Sequence, residues 1–91
     1  MAIIITRYFF MYYVYIIQSL TDPSFIYAGY TTDIKQRLET HNSGGSIYTS
    51  KNRPWKLLVC LVFENESCAK EFEKYLKLSS GRAFIKKRFL I

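Results

Sequence analysis

Two tyrosine-rich segments on either side of a short turn constrain the fold of this 91-residue chain more than any other feature. Residues 12–18 and 25–30 are dominated by aromatic and β-branched side chains, which favour β-strands. Between them, Asp22 and Pro23 predict a turn, because proline presets φ and an aspartate side chain can bond the neighbouring backbone. The two segments are therefore predicted to form an antiparallel hairpin.

A helix is predicted directly after the hairpin. Asp33 is a favourable N-cap, and Gln36 follows it in the capping-box position. The side chains that share one helical face are Ile34, Arg37, Leu38 and His41. An arginine that borders an apolar face is costly to bury alone, so Arg37 indicates either a bound anion or an intramolecular salt bridge. The candidate partners for that bridge are Glu39, Glu64 and Glu73.

The rest of the chain predicts one more strand and two more helices. Residues 55–63 are apolar except for Lys56, which indicates a strand buried on both faces. Asn65 or Ser67 begins the next helix, whose inner stripe is predicted to be Ala69, Phe72, Leu76 and Ser79. Residues 79–81 break this helix, and residues 82–90 form a short basic helix. The order β-β-α-β-α-α predicts an α+β fold, a small three-stranded antiparallel sheet flanked by helices.

One domain is expected, because 91 residues lie near the lower limit for a core that is stable alone. It comprises residues 12–91, and residues 1–11 precede it as an N-terminal extension or as a continuation of the first strand. Arg7 interrupts the apolar start of the chain, and no signal-peptide pattern is present, so no membrane segment is expected. Cys60 and Cys68 match no metal-binding spacing and are expected to be reduced thiols in a cytoplasmic protein.

The net charge of +6 is concentrated toward the C-terminus. Residues 70–91 hold seven basic and two acidic side chains, and they therefore account for +5 of the total. The basic positions are Lys70, Lys74, Lys77, Arg82, Lys86, Lys87 and Arg88. This distribution favours a polyanionic partner, either a nucleic acid or an acidic membrane surface, although a solvated helix face has the same composition. A loop also combines an aromatic ring with positive charge, as suits a phosphate backbone and a stacked base, in Tyr48, Thr49, Lys51 and Arg53.

Several residues near the hairpin and on the later helix offer chemistry beyond packing. Alternation along facing strands can aim Tyr15 and Tyr27 at one face of the sheet, although both also suit ordinary strand packing. A free phenol ionises near about pH 10, so a tyrosine acts as a base only with a proton relay or a stabilised phenolate, for which His41 is available. Gly29, at the end of the second segment, allows close approach of a backbone or a ligand. Glu73 offers an oxygen ligand for a divalent cation or, alternatively, an ion pair with Lys77.

These residues occur in an order that resembles the GIY-YIG nuclease domain, from about residue 13 to residue 77. The matching segments are Tyr13-Val14-Tyr15, Tyr27-Ala28-Gly29, Arg37 with His41, and Glu73 with Lys77. The small single-domain members, which look like the N-terminal part of the excision-repair incision nuclease, are the most similar. Tyr13 and Ala28 depart from the family motifs but leave both tyrosines and the glycine in place. No asparagine follows Asn65, whereas some members have one after the glutamate-bearing helix.

The resemblance implies one-metal hydrolysis of a phosphodiester bond in DNA. Glu73 would hold Mg²⁺ or Mn²⁺ against the scissile phosphate, and Tyr27, aided by His41, would take the proton of the attacking water. Arg37 would stabilise charge on the phosphate, and Tyr15 would orient the water or the phosphate. The residues expected to contact nucleic acid are Gly29, Tyr48, Lys51, Arg53, Lys70, Lys74 and Lys77.

A chain this small implies structure-directed or weakly specific recognition in a DNA-repair context, with a partner protein as a source of specificity. Two alternatives stay open. One is a non-catalytic nucleic-acid-binding module of the same fold. The other is a protein-interaction domain whose basic helices bind an acidic protein.

Overall fold

Three antiparallel strands and three helices form the part of the chain that the computed structural model describes, residues 11–90. The strands are β1 (Tyr12–Ser19), β2 (Ile26–Thr31) and β3 (Trp55–Phe63), in the sheet order β2-β1-β3. The helices are α1 (Ile34–Ser43), α2 (Glu66–Leu76) and α3 (Ser79–Phe89), and a 3₁₀ turn, Ser50–Asn52, precedes β3. The predicted α+β class and element order are confirmed. The predicted extension, residues 1–11, lies outside the described residues apart from Met11.

The hairpin and the first helix form as their local signals predict. Asp22 accepts hydrogen bonds from the backbone N–H and the hydroxyl of Ser24, which stabilises the turn between β1 and β2. Asp33 caps α1 by accepting from the backbone N–H of Gln36 at 3.0 Å. Gly44 follows the helix with a φ of 86°, a left-handed conformation that favours glycine.

Strand β1 is the central strand, and its middle residues are buried on both faces of the sheet. The pairing register places Tyr15 opposite Gly29 and Ile17 opposite Tyr27 on β2. Directly paired residues share a face, so these four positions lie together on one side of the sheet. Val14 and Ile16 consequently point to the other side.

Helices α2 and α3 cover one side of the sheet, which we call the apolar face. Its buried residues are Val14, Ile16, Ala28, Ala69, Leu76 and Ile85. Asn65 caps α2 by accepting from the backbone N–H of Cys68. A Cβ atom at Gly81 would overlap the backbone of Tyr75 and Leu76, so only a glycine in α3 lets the two helices meet this closely.

Helix α1 covers the opposite side, which we call the tyrosine face, together with Trp55 from β3. The pairing of β1 with β3 matches Ile16 to Val59 but Ile17 to Leu57, so one residue of β3 bulges. Because side chains alternate along a strand, this bulge transfers the preceding part of β3 to the other face. Trp55 thereby joins Tyr15 and Ile17 in the core of the tyrosine face.

Two predictions about the later elements are wrong. Strand β3 is not buried on both faces: Trp55 alone among its residues is buried, Leu57 and Val62 are exposed, and the strand lies at an edge of the sheet. An apolar run predicts a strand but not its place in the sheet, which depends on how it pairs with β1. Ser79 lies outside the inner stripe of α2, because that helix ends at Leu76 and Ser79 begins α3, which contains Gly81.

Candidate active site

A cleft of about 300 Å³ opens along the edge of β2, with walls that include side chains of α1 and α2. Its lining residues are Tyr15, Tyr27, Gly29, Tyr30, Arg37, Lys70, Glu73 and Lys74. Strand β2 lies at the edge of the sheet, so helices packed on opposite faces can both extend side chains past it. Four of the predicted catalytic and metal-binding residues, each from a different element, therefore line one cleft: Tyr15, Tyr27, Arg37 and Glu73.

Tyr15 forms the floor of the cleft through its pairing with Gly29. A Cβ atom at Gly29 would overlap the hydroxyl and the ring of Tyr15, so the phenol occupies the space that a side chain would fill. The sequence predicted Gly29 at the end of the second strand, but it lies inside β2. Tyr15 is completely buried, and burial raises the pKa of Tyr15 to about 12, against the opposing charge of Arg37. The phenol is therefore protonated at neutral pH.

A buried chain of hydrogen bonds leads from Tyr15 away from the cleft. The Tyr15 hydroxyl lies 2.8 Å from Nε2 of His41, and Nδ1 of His41 lies 2.7 Å from the Thr49 hydroxyl. The indole N–H of Trp55 donates to the backbone carbonyl of Thr49 at 2.8 Å. Burial, followed by the charge of Arg37, lowers the pKa of His41, so at neutral pH one ring nitrogen donates and the other accepts. This chain fixes the position of the Tyr15 hydroxyl.

Thr49 and Trp55 are site residues that the sequence did not reveal. The sequence grouped Thr49 with loop residues that suit a phosphate backbone, but its side chain is completely buried and is not part of that loop surface. A threonine in a polar loop becomes buried only once the loop docks on His41 and Trp55, and no local pattern signals that docking. Trp55 carried a usable signal, since a buried indole N–H requires an acceptor nearby.

His41 forms its hydrogen bonds with Tyr15 and Thr49 rather than with Tyr27, the residue it was expected to assist. Tyr27 meets the imidazole edge-on, with ring centroids 5.4 Å apart. The Tyr27 ring also lies beneath the ammonium group of Lys77, 5.1 Å from the ring centroid. Lys77 in turn forms an ion pair with Glu73 at 2.6 Å. A neighbour of the Tyr27 ring is therefore Lys77, which the sequence suggested as a nucleic-acid contact and as the ion-pair partner of Glu73.

Of the two alternatives that the sequence left open for Glu73, the ion pair with Lys77 is present, and the metal-binding role stays a prediction. Glu73 lines the cleft with its side chain 19% exposed, and it pairs with Lys77 one helical turn away. Within residues 11–90, no three His, Cys, Asp or Glu side chains gather into a metal-binding cluster. A magnesium site that takes one carboxylate and completes its shell with phosphate and water oxygens needs no such cluster. The single carboxylate of the cleft suits a hard divalent cation that is shared with a phosphate.

The rim of the cleft is cationic. Arg37 is exposed there, and Lys77 rather than Arg37 pairs with Glu73. Lys70 lies 3.6 Å from the Glu66 carboxylate, which also accepts a hydrogen bond from Tyr30 at 2.7 Å. Lys74 completes the rim on α2. A phosphate that entered the cleft would meet an exposed guanidinium and two lysines.

The other residues expected to contact nucleic acid divide into two groups. Tyr48 and Lys77 line a second depression beside the cleft. Lys51 and Arg53 line neither depression, and the guanidinium of Arg53 lies against Gly44 at the end of α1. For all four residues, contact with nucleic acid stays a prediction.

Similarity to known proteins covers most of the chain. Residues 11–88 match the GIY-YIG catalytic domain family. The UPF0213 protein YsiG of Lactococcus lactis subsp. lactis (strain IL1403) is 45% identical over 67 residues, which are 72% of this chain and 62% of that protein. The UPF0213 protein SpyM3_1077 of Streptococcus pyogenes serotype M3 is 38% identical over 72 residues, which are 78% of this chain and 76% of that protein. The chain thus spans less than two thirds of the length of the Lactococcus relatives, 62% of one and 54% of another.

A solved structure has the same fold. The solution NMR structure of the UPF0213 protein BH0048 from Bacillus halodurans matches with a TM-score of 0.54 and 30% sequence identity. The match covers 87% of this chain and 86% of that one. Among residues 11–90, no helix has both the length and the apolar character needed to cross a membrane.

Proposed function

The chain belongs to the GIY-YIG catalytic domain family, and we propose that it is a metal-dependent endonuclease that hydrolyses phosphodiester bonds of DNA. The observation that carries the proposal is the convergence of Tyr15, Tyr27, Arg37 and Glu73 on one cleft. Packing requirements give no reason for an exposed guanidinium, a partly buried carboxylate and two phenols from four elements to meet there. Phosphodiester hydrolysis needs such a set, because it requires a base, a cation site and charge stabilisation.

Tyr27 is assigned as the general base for the attacking water, since its phenol is partly exposed in the cleft. The ammonium of Lys77 lies over the same ring, 5.1 Å from its centroid, so a cation adjoins the proposed base. Arg37 is assigned to the phosphate, where its fork of donors stabilises negative charge as it builds. Tyr15 is buried and protonated, so it and His41 serve as positioning residues beneath the cleft.

Glu73 would hold the divalent cation, Mg²⁺ or Mn²⁺, through its carboxylate oxygens. When bound, such a cation neutralises charge on the phosphate and on the leaving oxygen. The same carboxylate binds the ammonium of Lys77, so a metal ion competes with that ion pair. Competition of this kind predicts weak metal affinity until a phosphate adds its own oxygen ligands.

Recognition is proposed to be directed by DNA structure or to be weakly specific. The rim residues Arg37, Lys70 and Lys74 suit phosphates, which position a duplex but carry no sequence information. A partner protein would then be needed to select a defined target. The resemblance to the excision-repair incision nuclease supports DNA repair as the context.

A second candidate function is a non-catalytic nucleic-acid-binding module. The Lys77–Glu73 ion pair favours it, because an internal ammonium already neutralises the carboxylate that a metal ion would need. Such a module would bind DNA with a steep salt dependence and would cleave none of it in any divalent cation.

The test is a nicking assay with purified protein on supercoiled plasmid, blunt duplex, flap and single-stranded DNA, in Mg²⁺, Mn²⁺ or EDTA. We expect cleavage that requires the metal and that falls by about 10²–10³-fold in Glu73→Gln and in Arg37→Ala, as for loss of one transition-state contact. Glu71→Gln is the matched control, since Glu71 lies on the same helix but is exposed and outside the cleft. Full activity in Glu73→Gln would defeat the catalytic assignment, whereas DNA binding without cleavage in every metal would favour the binding module.

A further inference from the structure

A second depression of about 870 Å³ lies beside the cleft, and we call it the basic groove. β2 and the residues just before it form one wall, and the other residues come from the end of α2, from α3 and from Tyr48. Its apolar lining includes Ile26, Ala28, Leu76, Ile85 and Leu90. Its cationic lining is Lys77, Arg82 and Lys86.

The basic groove and the cleft share a wall. Tyr27, the proposed base, lines both depressions. Lys77 lines the groove while its ammonium pairs with Glu73 in the cleft. A molecule whose phosphate occupied the cleft would therefore continue into the groove without leaving the protein surface.

We propose that the basic groove binds an unpaired nucleotide of the substrate, next to the phosphodiester in the cleft. An unstacked base needs an apolar surface and an aromatic ring, and its flanking phosphates need cations within reach. The groove offers both, with Tyr48 84% exposed at its border and three basic side chains around an apolar floor. A volume of about 870 Å³ lies within the range of roughly 300–1,000 Å³ typical of small-ligand pockets.

Charge placement on α3 favours a nucleic acid as the occupant. Arg82 and Lys86 are one helical turn apart and both line the groove, whereas Lys87 and Arg88 on the same helix do not. Two cations spaced along an apolar floor match the alternation of phosphates and bases along a single strand. This inference rests on the proposed function, because the phosphate bound in the cleft determines which nucleotide of the strand reaches the groove.

The substrate class follows from the groove. A fully paired duplex would have to unpair and unstack a base to place it there, whereas a single-stranded branch, overhang or gap supplies a base without that cost. We therefore expect tighter binding of a duplex with a single-stranded overhang than of a blunt duplex of equal length and charge.

The test measures binding by fluorescence anisotropy in EDTA, with a blunt duplex and an overhang duplex as probes. The ratio of the two affinities is the readout, because it cancels the general attraction of a basic protein to DNA. We expect Arg82→Ala with Lys86→Ala to reduce the ratio by about tenfold, and Tyr48→Ala to do the same through loss of stacking. The matched controls are Lys87→Ala with Arg88→Ala, which removes the same charge, and Tyr48→Phe, which keeps the ring.

The outcomes separate this inference from the proposed function. Because no metal is present, a preference for overhangs that depends on the groove supports the inference even if the protein never cleaves DNA. Equal affinity for the two probes, or equal effects of the two double variants, overturns it even if the protein is an active nuclease. A groove dependence seen only for anionic phospholipid vesicles, or only for self-association in sedimentation, also overturns it, because the occupant would then be a lipid or a second copy of the chain.

Discussion

The two faces of the sheet are built on different principles. The apolar face is held by aliphatic and aromatic side chains that need only shape complementarity, such as Val14, Ile16 and Leu76. The tyrosine face contains a buried chain of polar groups, Tyr15, His41 and Thr49, each of which needs its partner in a defined position. Apolar packing tolerates small shifts, whereas a buried donor or acceptor that loses its partner costs free energy at once. Stability therefore concentrates on one face and the geometry of the cleft on the other.

Truncating one leucine on each face should give the largest difference in the free energy of unfolding between the two faces. Leu76→Ala removes a completely buried side chain between α2 and the sheet and should lower the free energy of unfolding by about 2–5 kcal/mol. Leu38→Ala makes the same chemical change on the tyrosine face, where the side chain is only partly buried, and should lower it by about 1–2 kcal/mol. Denaturant unfolding measures both values. Equal losses of unfolding free energy in the two variants would contradict the claim that stability concentrates on the apolar face.

Adding one methyl group at Gly29 should damage the cleft more than the fold. In Gly29→Ala the new Cβ overlaps the Tyr15 phenol, so the ring must move and its hydrogen bond to His41 is strained. We expect a loss of about 1–3 kcal/mol in the free energy of unfolding, as for other overpacked sites. A double-mutant cycle with Tyr15→Leu isolates the cause, because removal of the ring relieves the overlap. A cost for Gly29→Ala that is unchanged in the Tyr15→Leu background would show that the phenol is not responsible.

Removing one hydroxyl tests the buried polar chain itself. Thr49→Val keeps the shape of the side chain but leaves Nδ1 of His41 without its hydrogen-bond partner, so unfolding should require about 1–2 kcal/mol less. Thr40→Val is the matched control, since the Thr40 hydroxyl bonds a backbone carbonyl within α1 and lies at the surface. If DNA is cleaved, Thr49→Val should also lower its rate, because Tyr15 and His41 lose a fixed position. If Thr49→Val were as stable as Thr40→Val, the buried hydrogen bonds of Tyr15, His41 and Thr49 would not contribute to the stability of the fold.

The contrast between the faces also explains what could be predicted from the sequence. The hairpin, the Asp33 cap and the spacing of Arg37 and His41 on α1 depend on local chemistry, so they could be read from neighbouring residues. The family motif located Tyr15, Tyr27 and Glu73, and the fold brings these residues to one cleft.

The errors concern features that exist only after strands and loops have paired. The edge position of β3 and its bulge depend on the register with β1, which an apolar run over residues 55–63 does not encode. Thr49 becomes buried only when its loop docks on Trp55 and His41. Residues 79–81 were predicted as a helix break because glycine ends many helices, whereas Gly81 lies inside α3 and permits contact between α2 and α3.

Acid should weaken the tyrosine face through His41, and this is the smallest of the expected effects. Burial, with a contribution from the charge of Arg37, lowers the pKa of His41 below the ordinary value of 6.5. Between that lowered pKa and 6.5, the imidazole binds a proton in the unfolded chain but not in the folded one. The contribution of His41 to the free energy of unfolding is therefore fully present above pH 6.5 and declines as the pH falls. His41 is the single histidine of the chain, so one imidazole signal in an NMR titration reports its pKa directly. His41→Gln should abolish the decline between about pH 6.5 and pH 5.5, a range above the titration of ordinary carboxylates. An imidazole that titrated at or above 6.5 would mean that the ring is not held neutral between Tyr15 and Thr49, and the buried polar chain would then have to carry a charge.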